Sequence, residues 1–406
     1  MARRVSILLG AGISIPAGIP TTGDITEKLL QGKAYYSTKD GRYREDNKSK
    51  NHSHQDITKI IKFISCIKNK ISNFYTEKQI SYEDIYYVIT QIEDFLQEYE
   101  NPVVESFVTD LINDLIDTGI FSDYNESQIS GYSKLTGNDY QLPKNDEVIQ
   151  KYISRLARMS SNYINDMLSH YLALDNGKLQ YLRFIKEIYQ KENIESINIF
   201  TLNHDILLEK YFRKESLNFN DGFREDEDLS AVKIRIWDPD FINSWAKVNL
   251  LKLHGSINWF RFRSKSNNKY RGYFFGALSS NNMPEGTLPE GGPLILTGRF
   301  NKIMEYNRSI YVDLHYNFYR LLDRTDIFII SGYSFNDKGI NSWLIDWMYS
   351  SPEHSIILIH PHPEKCIEQA RYGIKHHWPG WKKKEKIIVI PVPIEDFSWS
   401  DCSSKI

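Results

Sequence analysis

The chain has 406 residues, enough for one large domain or two moderate ones. Apolar residues make up 41% and charged residues 25%, the balance of a globular protein with a sizeable core, and the formal net charge of −2 lacks the basic excess of a dedicated duplex-DNA binder. Three cysteines, Cys66, Cys366 and Cys402, lie far apart with no C-x-x-C pair, which excludes a four-cysteine zinc ribbon, gives no sign of a disulfide framework and suits a reducing cytoplasm.

In chain order, Val5–Leu9 reads as a short buried strand of the parallel-sheet kind, apolar at nearly every position. Arg3 and Arg4 before it resemble the start of a signal peptide, but Gly10, Gly12, Pro16, Gly18 and Pro20 interrupt the apolar run. No apolar stretch reaches membrane-spanning length, so no membrane association is expected. Thr21–Leu30 follows as a helix, with Thr22 or Asp24 as its cap. Residues 31–54 are polar and read as an exposed loop or lid.

Residues 55–190 carry helical periodicity. Ile57, Ile60, Ile61, Ile64, Ile67 and Ile71 share one face; Ser81 and Asp84 form a capping-box variant; Pro102 suits a first helical turn. These stripes are core packing and carry no chemical motif, and residues 121–146 are polar and turn-rich.

Beyond residue 190 short isoleucine-rich runs return at 196–200, 248–253, 326–330, 355–359 and 386–392, some separated by helical patterns at Tyr311–Arg324 and Ile340–Met348. Strands alternating with helices predict an α/β fold: a Rossmann-like parallel sheet with helices on both faces, interrupted by a large helical insertion. Residues 1–30 and 190–406 then form one discontinuous domain, and residues 31–189 the insertion with its lid at 31–54.

The chemistry collects where strands end. The exits read GAGIS at 10–14, TLNHD at 201–205, HGSIN at 254–258, SGYSFND at 331–337 and HPHPE at 360–364. Ligands of open parallel sheets bind beyond the carboxyl ends of the strands, so five polar exits on one edge describe a site. Each has a plainer reading alone. Glycines serve any tight turn, His254 suits a structural histidine, Asn203 and Asp205 suit caps of a helix near Ile206, and SGYSFND suits a turn and cap. Together, Gly10 and Gly12 would let phosphate oxygens approach backbone N–H groups at a helix start, and a dinucleotide is the natural occupant. Ile15 stands where the dehydrogenase G-x-G-x-x-G has its third glycine.

Gly10-Ala11-Gly12-x-Ser14 with Gly18-Ile19-Pro20 resembles the opening motif of sirtuins. Thr201-x-Asn203-x-Asp205 resembles their T-Q-N-x-D with Leu202 in place of glutamine, His254-Gly255 their histidine–glycine pair, and Gly332-x-Ser334 their G-T-S; His360 takes the place of their adenosine-side exit. The chain departs from the deacylating members. It lacks their zinc ribbon, carries Thr21-Thr22 for their Phe-Arg, and has a long helical insertion for their small domain. In these features it resembles the bacterial sirtuin-like proteins of anti-phage defence. That resemblance implies an NAD glycohydrolase that works with a partner such as a HerA-type ATPase; the cysteine count points to no structural zinc and a cytoplasmic location, and the surface of the helical insertion at 55–190, which the motifs do not need, to a homo-oligomer. Asn203 and His254 would be catalytic. Gly10, Ala11, Gly12, Ser14, Ile19, Pro20, Asp24, Thr201, Asp205, Gly332, Ser334 and His360 would bind the NAD. The alternatives are a protein deacylase or ADP-ribosyltransferase, disfavoured by the missing ribbon, and a non-catalytic NAD or ADP-ribose sensor, which needs neither Asn203 nor His254.

Overall fold

In the computed structural model, the apolar runs become neighbouring strands of a single parallel sheet. The structure describes residues 2–32, 35–37, 42–45, 55–75, 79–96, 102–120, 147–227, 229, 233–242, 246–263, 273–278, 289–298, 302 and 305–403. The chain divides into two compact units: residues 1–21, 171–296 and 300–406 form the first, and residues 22–170 and 297–299 the second.

The first unit is built on β1 (Arg3–Leu9), β4 (Ile194–Thr201), β5 (Phe219–Asn220), β8 (Val248–Lys252), β11 (Ile327–Ser331), β12 (Ile356–Ile359) and β13 (Ile387–Ile390). Their order is β13-β12-β11-β1-β4-β8-β5, every pair parallel. The chain leaves β1 toward β4 and β8, then returns to β11 on the other side of β1, so the strand order reverses there. That reversal opens the crevice in which doubly wound sheets bind ligands.

The apolar runs are continuous because both faces are covered. Val5, Ile7 and Leu9 pack on one side with α6 (Arg183–Tyr189) and α7 (Leu207–Lys214). Leu8, Phe200, Phe328 and Ile330 face the other core, with α8 (Ile310–Asp323), α9 (Lys338–Ser350) and α11 (Tyr372–Lys383). Each fully buried aliphatic side chain contributes roughly 1.5–3 kcal/mol. α10 (Pro363–Gln369) and the short α12 (Ser400–Ser403) complete the helices of this unit.

A second sheet is not foreseen in the sequence. β6 (Phe223–Arg224), β7 (Ile234–Trp237), β10 (Tyr273–Leu278) and β9 (Trp259–Arg263) form an antiparallel sheet in that order. It is pinned by a cluster of Phe223, Trp237 and Trp259, with ring centroids 4.9–6.2 Å apart.

The second unit contains α1 (Thr22–Gln31), α2 (Gln55–Phe74), α3 (Tyr82–Leu96), α4 (Pro102–Asp117) and most of α5 (Glu147–Leu172). Of the α2 stripe, Ile57, Ile60, Ile64, Ile67 and Ile71 are buried as the spacing predicts, while Ile61 at its edge is half-buried. Asp84 Oδ2 accepts from the amide and hydroxyl of Ser81, both at 3.0 Å, closing the start of α3. Residues 121–146 lie outside the described residues. The expected loop at 31–54 contains instead an antiparallel pair, β2 (Tyr35–Ser37) with β3 (Tyr43–Glu45). It forms because Tyr43 has somewhere to go: its ring meets Tyr163 edge-on at 5.5 Å and its amide donates to Asp166 at 2.9 Å.

No helix among the described residues is long and apolar enough to cross a membrane. None of the three cysteines is in a disulfide, and among the described residues no group of three or more His, Cys, Asp or Glu side chains is placed to hold a metal ion.

Candidate functional site

The exits of β1 and β11 meet backbone to backbone. The Gly10 amide donates to the Ser331 carbonyl at 3.0 Å and the Gly12 amide to the Gly332 carbonyl at 2.9 Å. A Cβ on Gly10 would lie 2.5 Å from the Gly332 oxygen, and one on Gly332, whose φ is +64°, 2.5 Å from the Ile13 nitrogen. The N–H groups of Gly10 and Gly12 are therefore taken by carbonyls. The first task of both glycines is to admit the neighbouring strand exit.

A hydrogen-bonded network then joins the exits of β1 and β4. Ser14 Oγ donates to Asp205 Oδ2 at 2.6 Å. Asn203 Nδ2 donates to Ser14 Oγ at 2.9 Å and to the Gly10 carbonyl at 3.0 Å. Thr201 Oγ1 donates to Leu9 O at 3.2 Å and accepts from the Asn203 amide at 3.1 Å. The other oxygen of Asp205 accepts from the Leu207 amide at 3.1 Å, so the residue also serves the start of α7. Ser14, Thr201, Asn203 and Asp205 line a small cleft together with Ile13 and Tyr181. The Tyr181 hydroxyl is buried and has no hydrogen-bond partner among the described residues. Burial, with Asp205, Asp175 and Glu395 nearby, raises its pKa, so it remains a protonated donor. No sequence motif marks Tyr181; only its position before α6 brings it to the cleft.

His254 belongs to a second network, at the exit of β8. Its ring is 3% exposed, and its Nε2 lies 3.1 Å from Tyr306 Oη and 3.2 Å from Asp337 Oδ2. Tyr306 Oη donates to the same Asp337 oxygen at 3.0 Å. Burial alone would raise the Asp337 carboxyl, but the His254 hydrogen bond and charge, the Ile340 amide and Lys302 hold it well below the usual carboxylate range. Gly255, with φ +82°, lets the residue 294–296 segment close on this exit: the Ser256 amide donates to Leu294 O and the Leu296 amide to His254 O.

His204 follows Asn203 in the chain and stands beside His254 in space. Its ring centroid is 6.3 Å from that of His254, and its carbonyl accepts from the Ile257 amide at 2.9 Å. Among the described residues no hydrogen bond joins Asn203 to His254. Their levels nevertheless match. Thr201 pairs with Lys252 in the β4–β8 register, and Asn203 and His254 each stand two residues beyond that pair. Beneath them Lys252 is buried on Glu209 at 3.0 Å.

The remaining expected site residues scatter. Ile19 is part of the core beneath the sheet and Pro20 is half-buried. Asp24 is exposed in the first turn of α1, in the second unit. Ala11 lies in the short turn after β1. Ser334 is exposed, its hydroxyl accepting from Asn336. His360, at the exit of β12, accepts from the His362 amide through Nδ1, and burial beside His362 lowers its pKa.

No curated protein matches the chain by sequence. Among solved structures it is similar to one described as "The Structural basis for Sirtuin Substrate affinity", with 11% identity, 100% of this chain and 94% of the other covered, and a TM-score of 0.37. It is also similar to a crystal structure of a Sir2 homolog–NAD complex, with 11% identity, 97% and 86% covered, and a TM-score of 0.36. In a family comparison, residues 197–390, from within β4 to the end of β13, match the SIR2-like domain.

Proposed function

We propose that the protein is an NAD glycohydrolase, cleaving NAD to nicotinamide and ADP-ribose. The observation that carries this is the pair Asn203 and His254, set at one level on adjacent strand exits beside the reversal point of the sheet. The match of residues 197–390 to the SIR2-like domain supports the same reading.

In this reading the bond from ribose C1′ to the nicotinamide nitrogen breaks through an oxocarbenium-like state. The electron pair returns to the pyridinium ring, which leaves neutral without needing a general acid. A water attacks C1′ and gives its proton to His254. Asn203 holds that water or the ribose hydroxyls. Its Nδ2 is already engaged with Gly10 and Ser14, so its Oδ1 does the holding. Tyr181 offers a hydroxyl proton to the ligand in the cleft. Ala11 and Ser334 meet the phosphates and adenine ribose, while Gly10, Gly12 and Gly332, whose packing holds the Gly10 and Gly12 N–H groups on carbonyls, shape the wall beside them.

Such an enzyme depletes the NAD of its cell, in keeping with an anti-phage effector gated by assembly with its own copies or with a HerA-type ATPase. Incubation with NAD and chromatographic separation of products tests the chemistry. Nicotinamide with ADP-ribose supports hydrolysis. Product that appears only with acylated peptide, as acyl-ADP-ribose, makes the protein a deacylase, and no turnover makes it a sensor.

A further inference from the structure

The His254 cluster holds more than a histidine at a strand exit. We propose that Asp337 is the positioning residue of His254, fixing its tautomer and stabilising its protonated form, with Tyr306 as the bridge between them. The inference rests on the reading of His254 as the base.

The geometry is specific. Asp337 uses its two oxygens for two jobs. Oδ1 accepts from the Ile340 amide at 3.0 Å and so caps α9, which locks the carboxylate to a rigid element. Oδ2 receives the Tyr306 hydroxyl at 3.0 Å and faces His254 Nε2 at 3.2 Å. Because the Tyr306 proton goes to Asp337, Tyr306 Oη meets His254 Nε2 as an acceptor, at 3.1 Å. Both neighbours of Nε2 are thus acceptors, and the proton of neutral His254 sits on Nε2. The lone pair lies on Nδ1, the nitrogen that takes the proton of the attacking water. The imidazolium formed then faces a carboxylate.

The surroundings leave this role to Asp337. His204 and His315 are the other imidazoles nearby. Burial, together with the neighbouring His254 charge, pushes both down, His315 to about 3, so both stay neutral. Lys302 and Lys252 are the cations acting on the cluster, and Lys252 is bound by Glu209. Tyr306 is held by stacking on His315, with centroids 3.7 Å apart. Sequence spacing does not predict the arrangement: His254, Tyr306 and Asp337 come from the exit of β8, the segment before α8 and the exit of β11.

Two conservative variants test it. Asp337→Asn keeps the cap oxygen and removes the charge; Tyr306→Phe keeps the stack and removes the bridge. In NAD cleavage, Asp337→Asn is expected to lower kcat about 10²-fold or more with little change in KM, and to move the acid limb of kcat/KM about 1–3 pH units lower. Tyr306→Phe is expected to lower kcat about tenfold. Independently of turnover, the ring nitrogens of His254 are followed by NMR in 15N-histidine-labelled protein without NAD, assigned with His254→Gln. The expected spectrum shows the Nε2–H tautomer in the wild type and a lower titration midpoint in Asp337→Asn. A folded Asp337→Asn with an unmoved His254 titration overturns the proposal, whatever its activity. A His254 titration that Asp337→Asn does move, with a wild type that does not cleave NAD, upholds the pairing and overturns the hydrolase reading instead.

Discussion

Ser14 and Asp205, 191 residues apart in the chain, share a hydrogen bond of 2.6 Å, Oγ to Oδ2. The bond ties the first strand exit to the fourth and supports the oxygen on which Asn203 rests its amide. Ser14→Ala leaves a buried carboxylate oxygen without its donor, a loss of about 1–3 kcal/mol. A lower melting temperature and a raised KM for NAD are expected together. Thermal unfolding and steady-state kinetics on one preparation check this, and unchanged stability would mean the carboxylate is solvated.

The contact of Gly10 with Gly332 makes a contrast of two glycine substitutions informative. Gly10→Ala drives a Cβ to 2.5 Å from a backbone oxygen, where only displacement of β1 or β11 relieves it. Gly177→Ala has positive φ but nothing within 4 Å among the described residues, so it carries only left-handed strain, about 1–2 kcal/mol. Chemical denaturation should rank Gly10→Ala as clearly the more destabilised. Equal losses would show that the two strand exits move apart easily.

Among the described residues the buried Tyr181 hydroxyl has no hydrogen-bond partner, and removing such a group takes no bond from the fold. Tyr181→Phe is expected to keep or raise the melting temperature of the ligand-free protein while weakening NAD binding severalfold, measured by calorimetry. If affinity holds and stability falls, the hydroxyl serves the fold and not the ligand.

Buried neutral histidines set a pH dependence of stability. The pKa of His315 falls from 6.5 to about 3, chiefly by burial, with the His254 charge adding to it. The unfolded chain therefore takes up a proton in a range where the folded chain does not. This contribution is complete above about pH 6.5 and is lost progressively as pH falls toward 3. His204 acts in the same direction. Urea unfolding between pH 7 and pH 4 should show falling stability, and His315→Gln should flatten part of the slope. An identical slope in the variant would assign the acid sensitivity to other groups.

The sheet was legible because a parallel strand buried on both faces must be apolar at every position, and Val5–Leu9 or Ile356–Ile359 has no other good use. The polar exits were legible for the complementary reason: Asn203 and His254 interrupt chemistry that packing alone would keep apolar. The partners of His254 were not. Tyr306 and Asp337 are ordinary helix-flanking residues until the fold brings them within 3.2 Å of the ring. The antiparallel sheet escaped because its strands run from two to six residues, too short for an alternation to register. The β2–β3 pair did leave a signal, the Asp40-Gly41 dipeptide between aromatic segments, which composition of the surrounding polar stretch obscures.

In the proposed hydrolysis Asn203 and His254 act as a unit on one water and one ribose. The direct measurement is single-turnover NAD cleavage by Asn203→Ala, His254→Ala and the double variant, with thermal unfolding recorded on the same samples. Each single variant is expected to fold, to bind NAD with modest loss and to cleave it roughly 10²–10⁴-fold more slowly, with little further loss in the double variant. A folded His254→Ala protein that cleaves NAD at the wild-type rate would contradict the account.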